Sequence, residues 1–228
     1  MLDEKLNMFN EMMSELKNRG ANFVKVVDIS TLPANENQGY IVAVLIGIVL
    51  SPSYIFRLSQ QNILDYTEFS QKEHAADLLA EWTADFIKAK RFNAFAQSER
   101  NLLDGFYDAN TKSTSLPHKK IAIMAGLGWI GKSNLLVTKE YGSGFCMCSV
   151  LTDAPLPTQN EPMLISRCGD CDICKEICPS KVIHGSNWEV GINRDSMVDV
   201  YKCETCLKCL ANCVWTQKYM KNNNNISL

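Results

Sequence analysis

Eight of the ten cysteines in this 228-residue chain fall into two runs of one spacing. The first is Cys168-x2-Cys171-x2-Cys174-x3-Cys178-Pro179, and the second is Cys203-x2-Cys206-x2-Cys209-x3-Cys213. Three thiolates two residues apart wrap a tight loop around an iron–sulfur cubane, and the fourth reaches across to a second one. The spacing therefore predicts one [4Fe–4S] centre on Cys168, Cys171, Cys174 and Cys213, and another on Cys203, Cys206, Cys209 and Cys178. Structural zinc sites instead pair two short Cys-Cys units across a longer spacer. Disulfide frameworks belong to short secreted chains. The N-terminus here, Met1-Leu2-Asp3-Glu4-Lys5, carries acids early and no uninterrupted apolar core of the secretory kind. Val214 stands where a proline usually follows the second run. That proline shapes a turn and ligates nothing, so the reading holds.

Two clusters need elements to hold them, and the composition allows a sizeable fold. Apolar residues make up 46% of the chain, enough for a packed core. A net charge of −2 and a pI near 6.0 give no electrostatic case for nucleic acid or an anionic membrane. The longest apolar run, Tyr40 to Leu50, is too short to span a bilayer and reads as a buried strand. A reducing cytoplasm is the expected location, since the cysteines read as metal ligands rather than crosslinks.

Residues 2–19 place Leu2, Leu6, Phe9, Met13 and Leu16 on one helical stripe, with Gly20 as the stop. Phe23 to Ile29 reads as a strand, and Ile41 to Val49 as a stronger one closed by Ser51-Pro52. Thr67 to about Lys90 returns to helical period, with Ala75, Leu79, Trp82 and Phe86 sharing a face. This alternation predicts an α/β domain over residues 1–160. Asp104 to Ser115 is polar and irregular. Leu135–Thr138 and Phe145–Thr152 flank Tyr141-Gly-Ser-Gly144 and read as a β-hairpin. Cys146 and Cys148 on its second strand fit small buried fillers better than ligands. A proline-rich connector ending at Pro162 leads into the cluster module at 161–216, and 217–228 reads as a flexible tail.

The remaining informative stretch is Ala125-Gly-Leu-Gly-Trp-Ile-Gly-Lys-Ser133, which satisfies two phosphate-binding patterns at once. Gly126-x4-Gly131-Lys132-Ser133 has the P-loop form, and Gly126-x-Gly128-x2-Gly131 the dinucleotide form. Both need a helix after the glycines to present its N-terminal N–H groups to phosphate. Asn-Leu-Leu-Val-Thr and the turn at Tyr141-Gly142 are too short and too β-prone for that helix. In front, Ser115 and Pro117 suit the start of a helix that ends at Gly126, so the glycines would follow a helix rather than precede one.

This loop, then Tyr141-Gly-Ser-Gly-Phe145, then Leu151-Thr-Asp-Ala-Pro-Leu-Pro157, then the doubled cysteine runs, resembles the epoxyqueuosine reductase family in order and spacing. The resemblance covers about residues 116–215, and the N-terminal hundred residues match only in general α/β pattern. It identifies the chain as a short, divergent member. It implies an α+β fold: an α/β sandwich forming a nitroreductase-like cobalamin-binding domain, then a C-terminal ferredoxin-like double-cluster module, as in reductive dehalogenases. Cobalamin joins two [4Fe–4S] clusters as implied cofactor, with Gly128, Trp129, Gly131 and Lys132 as pocket residues. The family's proton-donating aspartate lies about thirteen residues before the Ala-Gly-Leu-Gly, where this chain has Lys112, with Asp108 a turn earlier. Reductive dehalogenase-like sites pair a tyrosine with a basic residue, so Tyr107 and Lys112 are the implied catalytic pair. The family's Gly-Arg-Asp-Tyr-His segment is not recognisable near Asp65-Tyr66.

The implied activity is an oxidoreductase in which the clusters relay electrons to a corrinoid; thiolate-bound cubanes reach potentials low enough for that task. Its partner is an external electron donor of ferredoxin or flavodoxin type. None of His74, His118 and His184 lies in the Asp-x-His-x-x-Gly pattern of a cobalt-ligating histidine. The family's C-terminal helical repeats are not represented and no basic surplus replaces them, so a small-molecule substrate is expected ahead of tRNA. The alternative is a ferredoxin-type electron carrier without its own catalysis.

Overall fold

Helix α1 (Leu2–Asn18) opens the chain and stops at Gly20, whose φ of +100° suits a residue without a Cβ. The computed structural model describes residues 2–60 and 64–223. Its buried face is Met8, Met12 and Leu16, while Phe9 and Met13 are partly buried beside it and Leu6 is half exposed. The stripe expected through Leu6 is thus turned by about one residue, because flexible methionine side chains fill the core as readily as the larger ones. Leu2's side chain, also placed on that stripe, lies outside the described residues.

Strand β1 (Phe23–Asp28) follows, then the single turn α2 (Ala34–Asn37) and the strand β2 (Val42–Val49). β1 pairs antiparallel with β2, and Phe23 faces Gly47. A Cβ at Gly47 would overlap the Phe23 ring, which explains a glycine inside this strand. Helix α3 (Pro52–Gln60) begins at Pro52, where proline's missing N–H costs nothing. Helix α4 (Thr67–Ala89) sets Ala76, Leu79, Ala80, Ala84 and Ile87 into the core, with Ala75, Trp82 and Phe86 partly buried at the rim. Small residues at the centre let this helix approach the sheet closely, so the expected face is rotated towards them.

Next come β3 (Ala94–Ala96), α5 (Glu99–Leu103) and a two-residue hairpin, β4 (Tyr107–Asp108) with β5 (Ser113–Thr114), inside the stretch expected to be irregular. Helix α6 (His118–Met124) starts after Pro117 and ends before Gly126, which has a φ of +60°. The glycine loop therefore follows a helix and continues into β6 (Trp129–Ile130) and β7 (Leu136–Val137), which pair antiparallel. Strand β8 (Phe145–Thr152) does not close a hairpin with β7; it enters the main sheet, of order β1-β2-β8-β3. Nearly every residue of β8 is buried, the mark of a central strand covered on both faces. The last helices are α7 (Ile173–Ile177), α8 (Arg194–Met197), α9 (Lys208–Asn212) and α10 (Val214–Asn223). Residues 217–223, expected in the tail, are the last seven of the ten residues of α10, with Tyr219 and Met220 buried. Residues 224–228, also expected in the tail, lie outside the described residues.

The chain divides into two units that interleave in sequence. The first comprises residues 1–48, 70–125 and 146–162. Its core joins α1 and α4 to Val42, Val44, Ile46 and Ile48 of β2, and to Cys148 and Val150 of β8. Ala43 and Leu45 on the other face are fully buried too, so β2 is covered on both sides. Cys146 and Cys148 are both buried in β8, as their small-filler reading expects. The fold is α+β: an α/β sandwich with a cysteine-rich C-terminal module.

The second unit comprises residues 49–69, 126–145 and 163–228. Here α3 packs on α9 and α10, and α7 packs on α9. Tyr219 on α10 donates from its hydroxyl to the Leu50 carbonyl at 3.0 Å. Gly142, at φ +59°, passes so close to Thr216 that any Cβ would collide with its backbone. The Ser143 N–H donates to Thr216 Oγ1 at 2.9 Å, locking the same crossing.

Candidate metal centre and a second cavity

The first cysteine run is a loop that turns on itself. The Cys171 N–H donates to the Cys168 carbonyl at 3.0 Å, and Gly169 between them takes a φ of +51°. Cys174 then sits in α7. Cys213 comes from the far end of the second run, immediately before α10. Burial pushes its thiol up, while the Thr216 and Trp215 N–H groups at the start of α10 pull it back towards thiolate. Cys168, Cys171, Cys174 and Cys213 line one cavity together. They span both runs, as a crossed ligand set requires. Burial, then the neighbouring Cys168, Cys213 and Cys171, pushes the Cys174 thiol up to about 11. Such a cluster of sulfurs is poorly ionised by itself, and a bound cation releases its protons.

Cys203, Cys206 and Cys209 wind through two residues in the left-handed region, Thr205 at φ +52° and Leu207 at φ +57°. The Tyr66 hydroxyl donates to the Glu204 carbonyl in this loop at 3.3 Å. Cys203 is exposed, Cys178 is buried, and burial followed by Cys206, Cys174 and Cys203 pushes Cys209 up to about 12. Among the described residues, no three His, Cys, Asp or Glu side chains converge on a single ion. Four thiolates each binding a different corner of a cubane stand farther apart than the ligands of one ion.

Of the four residues expected to border a cofactor pocket, Gly131 and Lys132 line the cavity with the first cysteine quartet, and Gly128 and Trp129 do not. A Cβ at Gly131 would stand 2.8 Å from Val137 Cγ2 and 3.6 Å from Cys168 Sγ, so only glycine lets the loop pass. A Cβ at Gly128 would overlap the Val137 carbonyl. Trp129 is fully buried, its ring edge-on to Trp215 with centroids 5.0 Å apart, and its Nε1 has no hydrogen-bond partner among the described residues. Lys132, only 6% exposed, holds Asp172 Oδ1 at 2.8 Å from Nζ. That hydrogen bond raises Lys132 against the opposing effect of its burial and holds Asp172 low, so both stay charged.

The first unit contains a separate cavity of about 380 Å³, the size of a small-ligand site. Glu73, Asp77, Glu99, Gln97, Tyr107 and His118 are among its lining. Burial, then Glu99 and Asp77, raises the Glu73 carboxyl. Gln97 Nε2 donates to the Leu116 carbonyl at 2.9 Å, which leaves Gln97 Oε1 to accept from the Ser149 hydroxyl at 2.7 Å. Ser149 Oγ must then accept from His118 Nδ1–H at 2.8 Å, so His118 presents a bare Nε2. Tyr107 borders this cavity, whereas Lys112 is exposed at the β4–β5 turn with a φ of +47° and is absent from the lining. Sequence reasoning missed Glu73, Asp77 and His118; the available signal was the Glu73/Asp77 spacing, four apart on one helix face.

Burial holds His118 down at about 4, against an ordinary 6.5. Between those values the unfolded chain binds a proton that the folded protein refuses. Stability from this group is therefore full above pH 6.5 and lost as the pH falls towards about 4. Melting at about pH 7.5 and about pH 5 should show a larger acid-induced fall in Tm for the wild type than for His118→Asn. Equal falls would remove His118 as the cause.

No family model matches the chain. Over 80 residues it is 39% identical to the epoxyqueuosine reductase of Pseudomonas aeruginosa, a match covering 35% of this chain and 22% of that protein. An epoxyqueuosine reductase solved with a tRNA-Tyr epoxyqueuosine-modified stem loop superposes with a TM-score of 0.57 at 15% identity, over 93% of this chain and 66% of that one. A reductive dehalogenase, whose structure suggests a mechanism for B12-dependent dehalogenation, superposes with a TM-score of 0.63 at 18% identity, over 82% and 28%. The chain thus spans only part of the curated relatives it matches. No helix among the described residues is long and apolar enough to cross a membrane.

Proposed function

We propose that this chain, a divergent member of the epoxyqueuosine reductase family, is a reductase whose two [4Fe–4S] clusters deliver electrons to a corrinoid. The observation that carries the cluster reading is the cavity shared by Cys168, Cys171, Cys174 and Cys213, which fits a crossed cubane ligand set. The strained Thr205 and Leu207 support the second centre, since a loop keeps such backbone where something it wraps over-determines it. The corrinoid is supported by kinship and fold. It would supply a strongly reducing cobalt, and this chain's part would be to hold, orient and exclude water.

The first unit's cavity suits a small substrate rich in hydrogen-bond donors. His118 Nε2 and the carboxylates of Asp77 and Glu99 would accept from it, and the Tyr107 hydroxyl would supply a proton. The stem loop seen with a solved relative makes tRNA the first macromolecule to assay. A ferredoxin- or flavodoxin-type donor would reduce the clusters.

A second reading, an electron carrier without its own catalysis, gains from one observation. The glycine loop lines the cluster cavity, so a carrier also has a use for it. Cobalt decides. Anaerobic expression with cobalamin supplied should yield about eight irons and about one cobalt per chain for the reductase. Full iron with no cobalt, even after a cobalamin titration, would leave the carrier.

A further inference from the structure

Among the described residues lining the first cysteine cavity, Lys132 is the one basic side chain. It is almost wholly buried, and its Nζ stands 2.8 Å from Oδ1 of Asp172, which lies between Cys171 and α7. Its backbone is fixed beside the ligands by Gly131, the residue whose Cβ would approach Cys168 Sγ. One buried cation lines the cavity with these sulfurs, and the half-exposed anion paired with it follows Cys171 directly in the chain. Resting on the cluster reading above, we infer that the Lys132–Asp172 pair is a positioning device that sets the reduction potential of the cluster held by Cys168, Cys171, Cys174 and Cys213.

The physical reason is charge. One-electron reduction by the external donor adds one negative charge to the cluster and leaves every cluster bond in place. The Lys132 ammonium favours that extra charge, and the Asp172 carboxylate opposes it less because it is nearer to water. The net effect of the pair is to raise the potential. The two substitutions must then act in opposite directions. Lys132→Gln removes the favourable charge, and Asp172→Asn removes the unfavourable one. A purely structural pair, whose loss loosens the Cys171 loop, would move both variants the same way.

The test is an anaerobic redox titration of the full, cluster-loaded chain followed by electron paramagnetic resonance, with iron and sulfide measured first. At the wild-type midpoint, Lys132→Gln should shift the oxidised-to-reduced ratio of one cluster signal about tenfold towards oxidised. For one electron that is about 59 mV more negative. Asp172→Asn should move the same signal the other way, Lys132→Arg should stay near the wild type, and the second cluster signal should not move. Shifts of one sign in both variants, equal shifts of both clusters, or no shift overturn the inference while leaving the cluster reading intact. If Lys132→Gln loses its cluster, Asp172→Asn alone decides: a more positive potential supports the inference, and an unchanged one overturns it. A wild-type chain that takes up no iron or sulfide overturns the cluster reading itself, and the inference with it.

Discussion

Cys213→Ala is expected to purify anaerobically with about four irons per chain where the wild type has about eight. The loss should fall on the centre of the first run, although Cys213 ends the second. That follows from the cavity Cys213 shares with Cys168, Cys171 and Cys174, and from its place at the start of α10, where N–H groups face its sulfur. The double variant Cys168→Ala/Cys213→Ala separates crossed from uncrossed ligation. If both residues serve one centre, the double variant keeps about four irons, like each single one. If they serve different centres, it keeps almost none. Retention of all the iron by Cys213→Ala would mean that the cavity does not hold a cluster.

Trp129→Ala is expected to cost about 3–5 kcal/mol of stability, as removal of a fully buried aromatic ring does. The edge-on contact with Trp215 adds to the loss. Trp129→Phe should cost far less, because the indole N–H has no hydrogen-bond partner to lose among the described residues. Urea unfolding followed by circular dichroism under anaerobic conditions measures both. The pair also guards against a false conclusion: weak cobalamin binding by Trp129→Ala would report a damaged β6–β7 pair, whereas weak binding by a stable Trp129→Phe would report the cofactor. An alanine variant as stable as the wild type would contradict the packing described.

What could be read in advance was local. The cysteine runs are legible because a few residues of loop geometry decide where their sulfurs go. The helix ahead of Gly126 is legible because Pro117 and Gly126 punctuate it. The pairing of strand β8 is not legible, because a strand over Phe145–Thr152 suits a hairpin and a central position equally, and the choice belongs to β2 and β3, distant in sequence. The faces of α1 and α4 were each slightly misphased, since the choice between Leu6 and Met8, or Trp82 and Ala80, is made by the packed sheet. The glycine loop stands out by its pattern, but its neighbours do not. That Gly131 lies against Cys168, or Lys132 against Asp172, depends on a meeting of segments that no pattern within either one encodes.

The second unit draws α3 and its flanks from residues 49–69, yet most of it comes from residues 163–228. On the ribosome, the early segment emerges on the order of ten seconds before the cysteine runs it will pack against. Until then α3 lacks α9 and α10, the helices it packs on in the finished protein. Delivery of the clusters proposed above would therefore act on a chain that is essentially complete. It also follows that a fragment beginning at Met163, although it contains both cysteine runs, lacks the helix its own α9 and α10 rest on. Expressed alone, such a fragment would expose that apolar seam and aggregate, so iron-uptake studies call for the whole chain.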